Sequence, residues 1–209
     1  MIEDFGARVA SVWEGLRATT RNLVERALQS SGAAAAATTQ PQRSESRPYD
    51  ARADWELSRL LSALDERSTE AGASMNAEQE KELRRMADTT ALVLQNQTQS
   101  AEVFAQLVAR TYRLRDYARI DQLADTLSAR FAPSEICELA RSNNEVVRAL
   151  AQETLAQTPT STLIALLGDP IDSEIAREAL ERQAGDYGSE EARRIVNILD
   201  QADMAEDDL

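Results

Sequence analysis

A chain of 209 residues with a formal net charge of −13 and no histidine is excluded from several functions at once. Phosphate backbones are gripped by basic faces, so nucleic acid is not an expected partner. Without imidazole there is no Ser-His or Cys-His couple and no histidine metal ligand. Hydrophobic residues make up 43% of the chain but aromatics only 4%, so Leu and Ala must fill the core, which suits packed helices better than strands.

Lys81 is the single lysine among 23 basic residues. GC-rich coding gives such a bias, and so does a salt-rich cytoplasm, where acidic, lysine-poor surfaces stay hydrated. Cys137 stands alone, so no internal disulfide forms and a reducing compartment is expected. No basic segment leads into an apolar one, as a secretory signal would, and no apolar run is long enough to span a bilayer. The expected location is the cytoplasm.

Residues 2–30 read as one amphipathic helix, forming a first element over 1–31. Ile2, Phe5, Val9, Val12, Leu16, Thr19 and Leu23 alternate steps of 3 and 4, the spacing of a coiled-coil seam. Trp13 lies beside that seam and widens it. Phe5, Val9, Val12, Trp13, Leu16 and Leu23 are therefore the candidate partner-binding residues. Residues 32–52 have little to bury and read as a flexible linker. Three settings for the first helix follow. It folds back on the body, it pairs as a coiled coil with a partner or a second copy, or it lies on a membrane. In the last case Phe5 and Trp13 insert and Arg17, Arg21 and Arg26 sit near headgroups.

A short helix over 53–67 places Trp55, Leu57, Leu60, Leu61 and Leu64 on one side. Residues 68–75 break the chain again. Asn76 and Gln79 have the spacing of a capping box. It opens a helix over 77–95 with a stripe of Leu83, Met86, Ala87, Thr90, Val93 and Leu94. A turn near Thr98 leads to a helix over 100–114 that buries Val103, Phe104, Leu107, Val108 and Thr111. Asp116 caps the next helix, which runs to Phe131. Trp55 and Phe104 read as core. Tyr112, Tyr117 and Tyr187 read as half-buried rings with bonded hydroxyls, or else as part of a partner surface.

Pro133 forces a break, and two similar stretches follow. Each opens on a proline and runs a short helix, a polar turn and a second helix. The four helices fall over 134–141, 145–157, 160–167 and 172–184, with Gly168 expected in the left-handed position that ends the third. Ser189 starts a last helix over 190–202, and 203–209 is an acidic tail. Within the first stretch, Val147-Arg148-Ala-Leu-Ala151-Gln-Glu-Thr-Leu155 resembles the second helix of a HEAT-like repeat. Leu166-Leu167-Gly168-Asp169-Pro170 resembles the end of that family's first helix. The resemblance covers about 133–202 and implies stacked helix pairs. Val147, Ala151 and Leu155 would face a neighbouring helix, and Arg148 would bond to the loop of the adjacent repeat.

Chemistry is sparse. Cys137 reads as a small core residue, Asp169 and Asp172 as turn and cap residues, and Glu190 and Glu191 as complements to a helix dipole. No catalytic, cofactor-binding or metal-ligating residue is expected. The reading is an all-α protein, with a helical-hairpin array (α-solenoid-like or an irregular bundle) over 53–202 and a tethered amphipathic helix ahead of it. The expected function is that of a non-catalytic protein–protein interaction scaffold, adaptor or regulatory subunit. The alternatives are a self-assembling structural component, or a peripheral membrane adaptor acting through 1–31.

Overall fold

The computed structural model describes residues 2–33, 49–70 and 75–207. Among them every regular element is a helix. The chain divides into two compact units, 1–107 and 108–209. This differs from the expected single body over 53–202 with 1–31 apart from it. The first 33 residues belong to the first unit, and most of the expected linker lies outside the described residues.

The first unit opens on a 3-10 turn, Glu3–Phe5, followed by α1 (Ala7–Gly15), α2 (Ala18–Ala33), α3 (Ala51–Glu70), α4 (Ala77–Gln97) and the first half of α5 (Ala101–Arg113). α3 packs on α4, α1 on α3 and α2 on α4. Gln106 ties α5 to α3 by donating to the Ser58 carbonyl and the Ser62 hydroxyl while accepting from the Ser58 hydroxyl. The core is the leucine-rich face of α3, with Leu57, Leu60, Leu61 and Leu64 buried against Leu83, Met86 and Leu94 of α4. The capping box expected at Asn76 and Gln79 is formed in both directions, at 2.9 and 3.0 Å.

The single helix expected over 2–30 is interrupted twice. Gly6 takes φ +104°, a conformation that strains any side-chain-bearing residue. Leu16 is extended, with φ −70° and ψ 145°. That second break resets the helical phase. A continuous seam would bring Thr19 and Leu23 inward; instead Thr20, Val24 and Leu28 are buried, Leu23 is half-buried and Thr19 is exposed. Trp55 also departs from expectation, being 57% exposed with the Arg59 guanidinium 4.7 Å over its ring. Two residues before Leu57 is 200° around a helix, so Trp55 cannot share the leucine face.

The second unit contains the rest of α5, then α6 (Tyr117–Arg130), α7 (Pro133–Ala140), α8 (Glu145–Ala156), α9 (Thr160–Leu166), α10 (Ser173–Gly185) and α11 (Glu190–Asp207). α7 packs on α8 and α9 on α10; α8 also meets α10, and α7 meets α9. α6 lies against α8, and α11 against α10. The ends are set locally. The Asn144 side chain accepts from the Val146 and Val147 N–H groups, the Asp116 side chain from Arg119, and Ser189 from Ala192. Pro133 occupies the first turn of α7, where its missing N–H costs nothing.

Three details correct the sequence reading. Gly168 does not take a left-handed φ; among the described non-glycine residues that conformation falls to Arg115. Arg148 bonds to the Ser142 carbonyl of its own turn. The reach to the next turn is made by Arg141, which donates to Asp172 at 2.7 Å and to the Ile171 carbonyl at 3.2 Å. Asp172 thus holds an arginine rather than capping α10, while Asp169 does form its turn, accepting from the Ile171 N–H.

Gln183 of α10 is a buried amide that ties the α8–α9 connection together. It donates to the Ala156 and Thr158 carbonyls and accepts from the Thr160 hydroxyl. Ala156 ends α8, where the last carbonyls have no partner within the helix, so Gln183 satisfies acceptors that the connection cannot satisfy itself. Gln183→Ala strands two carbonyls and is expected to cost about 2 kcal/mol. Faster amide exchange over 150–185 would register that loss, and unchanged exchange would show that Gln183 is not needed there.

Candidate interaction surface

The six residues expected to face a partner separate in the structure. Phe5, Val9 and Leu16 are buried in the first unit. Val12, Trp13 and Leu23 are half-buried. Of these, Trp13 lines a pocket of about 380 Å³ together with Ile2, Ala10, Leu28 and Met86. Half of the expected surface is therefore core; of the remainder, Trp13 borders this pocket between the N-terminal helices and α4, and Val12 lies toward Ser58 and Ser62 of α3.

Polar groups fix that docking. The break at Leu16 gives α2 an N-terminus of its own at Ala18, whose first N–H groups call for a cap. Glu56 of α3 supplies one from outside the helix: its carboxylate accepts from the Arg17 N–H at 3.3 Å, the Arg17 Nε at 3.0 Å and the Thr20 hydroxyl. A carboxylate suits the positive end of a helix dipole. Arg17 also donates to Asp50, whose other oxygen accepts from the Arg52 and Ala53 N–H groups at the start of α3. Burial pushes the Glu56 carboxyl upward, but the Thr20 hydroxyl and Arg17 outweigh it and hold the group below the ordinary carboxylate range. The Ala53 N–H and Arg17 likewise hold Asp50 low. The cluster joins two helix N-termini, and each of these bonds is accounted for by that structural work.

Cys137 is fully buried, and burial, reinforced by Asp172, pushes its thiol up to about 11. It is thus a small core residue, held away from the thiolate form. Among the described residues no group of three or more Asp, Glu or Cys is arranged to hold a metal ion.

The second unit carries a surface that the sequence weighed and underrated. At the corner between α5 and α6, Tyr112, Leu114 and Tyr117 are 49%, 58% and 60% exposed. The chain turns there by two bonds, Asp116 N–H to the Thr111 carbonyl and Arg115 N–H to the Tyr112 carbonyl. These are the paired bonds of a Schellman motif, in which the residue at the Arg115 position adopts left-handed backbone and is usually glycine. Arg115 has φ +56° and is exposed. An L-residue there costs about 1 kcal/mol relative to glycine. Tyr187 is as exposed as Tyr112, at 50%, but its hydroxyl is bonded, as one of the two readings had it. Its hydroxyl donates to Glu153, which also accepts from Gln157, so that ring is tied to α8.

A groove of about 560 Å³ lies between α6, α8 and the α8–α9 connection, with Phe131, Ile136 and Leu150 on its walls and Asp125 and Glu153 at its edges. Its lining is mixed, with no convergent polar constellation. The sequence could have flagged the corner from composition alone: between Glu102 and Asp121 there are four arginines and one acid, Asp116. What it lacked was a way to tell outward tyrosines from inward ones. Comparisons of the chain with protein-family models, with curated proteins and with solved structures return no match.

Proposed function

We propose that this chain is a non-catalytic protein-interaction subunit, an adaptor or regulatory component. The observation that carries the reading is the α5–α6 corner, where Tyr112, Leu114 and Tyr117 stand exposed together beside Arg115. Tyrosine and arginine dominate interface hot spots, since each offers a large contact area with a polar handle. The neighbouring pairs α7–α8 and α9–α10 support a HEAT-like array as the scaffold for this corner. The like helices of successive pairs touch, α7 with α9 and α8 with α10, and Arg141 reaches from one turn to the next. The residues left half-exposed around Trp13 offer a second contact on the first unit. The membrane and coiled-coil settings for 1–31 are less favoured, because both would pull Phe5, Val9 and Leu16 out of a core.

The test compares two sets of variants. Tyr112→Ser with Tyr117→Ser is expected to reduce capture of native partners from the source cell at least tenfold, in line with hot-spot energetics. Trp55→Ser, equally exposed but on the first unit, serves as the control and should leave capture unchanged. Identical capture by both variants and the parent would remove the corner from the interaction and the reading with it.

A further inference from the structure

We infer that the pocket at Trp13 receives a basic segment of a partner protein, one that carries a large apolar side chain among its arginines or lysines. The inference rests on the interaction reading above, for which this pocket is the second contact, and names the chemistry of the partner. The lining of the pocket has two parts. One is apolar, with Trp13 half-buried beside the buried Leu28 and Met86. The other is three exposed carboxylates, Glu3, Glu14 and Glu25, and none of the lining residues is basic.

The carboxylates come from three separate elements. Glu3 stands in the 3-10 turn, Glu14 near the end of α1 and Glu25 on α2. Among the described residues none of the three forms an ion pair or a side-chain hydrogen bond. Arg85, which adjoins Met86 in sequence, does not answer them: its guanidinium is held by the Leu28 carbonyl at 2.8 Å and by Glu82 at 3.2 Å. Glu14 is the next-to-last residue of α1, whose last turn has no basic residue. A carboxylate there faces the negative end of the helix dipole, so local helix energetics do not account for it. A cation brought by a partner does.

Both parts of the lining constrain the occupant. Three unpaired carboxylates call for more than one cation, which a basic segment brings and a lone amine does not. Trp13 adds to that demand, because indole is the side chain that attracts a cation over its face most strongly. The apolar part calls for a Leu, Phe or Met side chain, which a polyamine lacks. A volume of about 380 Å³ lies at the lower end for a ligand pocket and suits an anchoring side chain or two rather than a whole helix. The net charge of −13 draws a basic segment in from a distance, and the pocket decides where it docks.

The experiment reads the pocket directly. Trp55→Phe leaves Trp13 as the sole tryptophan of the full chain. That protein is titrated with three synthetic twelve-residue peptides that share the same leucine positions and fill the others with Arg and Ser, with Glu and Ser, or with Gln and Ser. The basic peptide is expected to shift Trp13 emission saturably and to bind at least tenfold more tightly than the neutral one, with the acidic one silent. Glu14→Gln with Glu25→Gln should weaken its binding at least tenfold. Glu78→Gln with Glu102→Gln, two exposed glutamates of the same unit outside the pocket, should change it less than twofold. Both pairs should keep the parent's emission spectrum before peptide is added, so that lost affinity cannot be lost folding. Equal losses in the two pairs would assign binding to the general acidity of the surface and overturn the pocket. Equal affinity for the basic and neutral peptides would overturn the charge assignment, and no shift with any peptide would overturn the whole inference. Spermidine binding as tightly as the basic peptide would make a polyamine the occupant and overturn it too. So would a dimer in sedimentation that Glu14→Gln with Glu25→Gln dissolves, since the occupant would then be a second copy. None of these outcomes touches the α5–α6 corner, which the capture experiment decides separately.

Discussion

Phe5→Ala is expected to destabilise the first unit by about 3 kcal/mol, the loss typical of a buried aromatic truncated to alanine. Phe5 is 1% exposed, in the 3-10 turn that packs against α1 and α4. It is the residue that closes the N-terminal end of the unit. The readout is convenient, because Trp13 and Trp55 are the only tryptophans and both fall within 1–107. Their fluorescence during urea unfolding therefore reports this unit alone. A shift below about 0.5 kcal/mol, within the range of a surface substitution, would mean that the N-terminal segment is not held through Phe5 and would revive its use as a separate partner-binding helix.

The next largest effect is expected at Glu56. Glu56→Ala removes the acceptor of the Arg17 N–H and the Thr20 hydroxyl and one of the two counter-charges to Arg17, leaving Asp50 as the other. About 2 kcal/mol should be lost, most of it from the stranded donors, since Arg17 itself is partly solvated. Glu56→Gln retains one acceptor oxygen and should cost less. The pH dependence has a definite sign. The folded Glu56 carboxyl titrates below its unfolded value, so its contribution is fully present above the ordinary carboxylate range, near pH 4.3 for an unfolded glutamate, and is lost as pH falls through the folded value. Asp50 adds a contribution of the same sign. The parent should weaken steadily in urea below about pH 5. Glu56→Gln should show a shallower acid limb, retaining only the Asp50 part. Equal limbs would mean that the carboxylate does not cap α2.

Much of the helical layout was legible in the sequence because its causes are local. Asn76 with Gln79, Asp116, Pro133 and Ser189 each start a helix through contacts within three residues, and each was placed correctly. The leucines of α3 and the Val147, Ala151, Leu155 row of α8 repeat at the helical period, so their burial could be read from spacing. The candidate site was less legible. Phe5, Val9 and Leu16 fit a coiled-coil seam as well as they fit a docked helix, because the 3-4 spacing is the same in both. Tyr112 and Tyr117 carried no periodic signature that would set them outside.

Composition, spacing and caps by themselves determined that the described residues are all-helical and where most of the helices start. Those properties depend on interactions over a few residues, which a sequence states directly. Tertiary structure alone decided that α2 is capped by Glu56 from another helix, that the phase of the N-terminal seam shifts at Leu16, and that Gln183 and Arg141 bind turns far from them in sequence. It also turned the tyrosines of the α5–α6 corner outward. The reason is common to all of these. Each depends on which unsatisfied backbone group or apolar face happens to lie opposite in space, and periodicity carries no record of what it will meet.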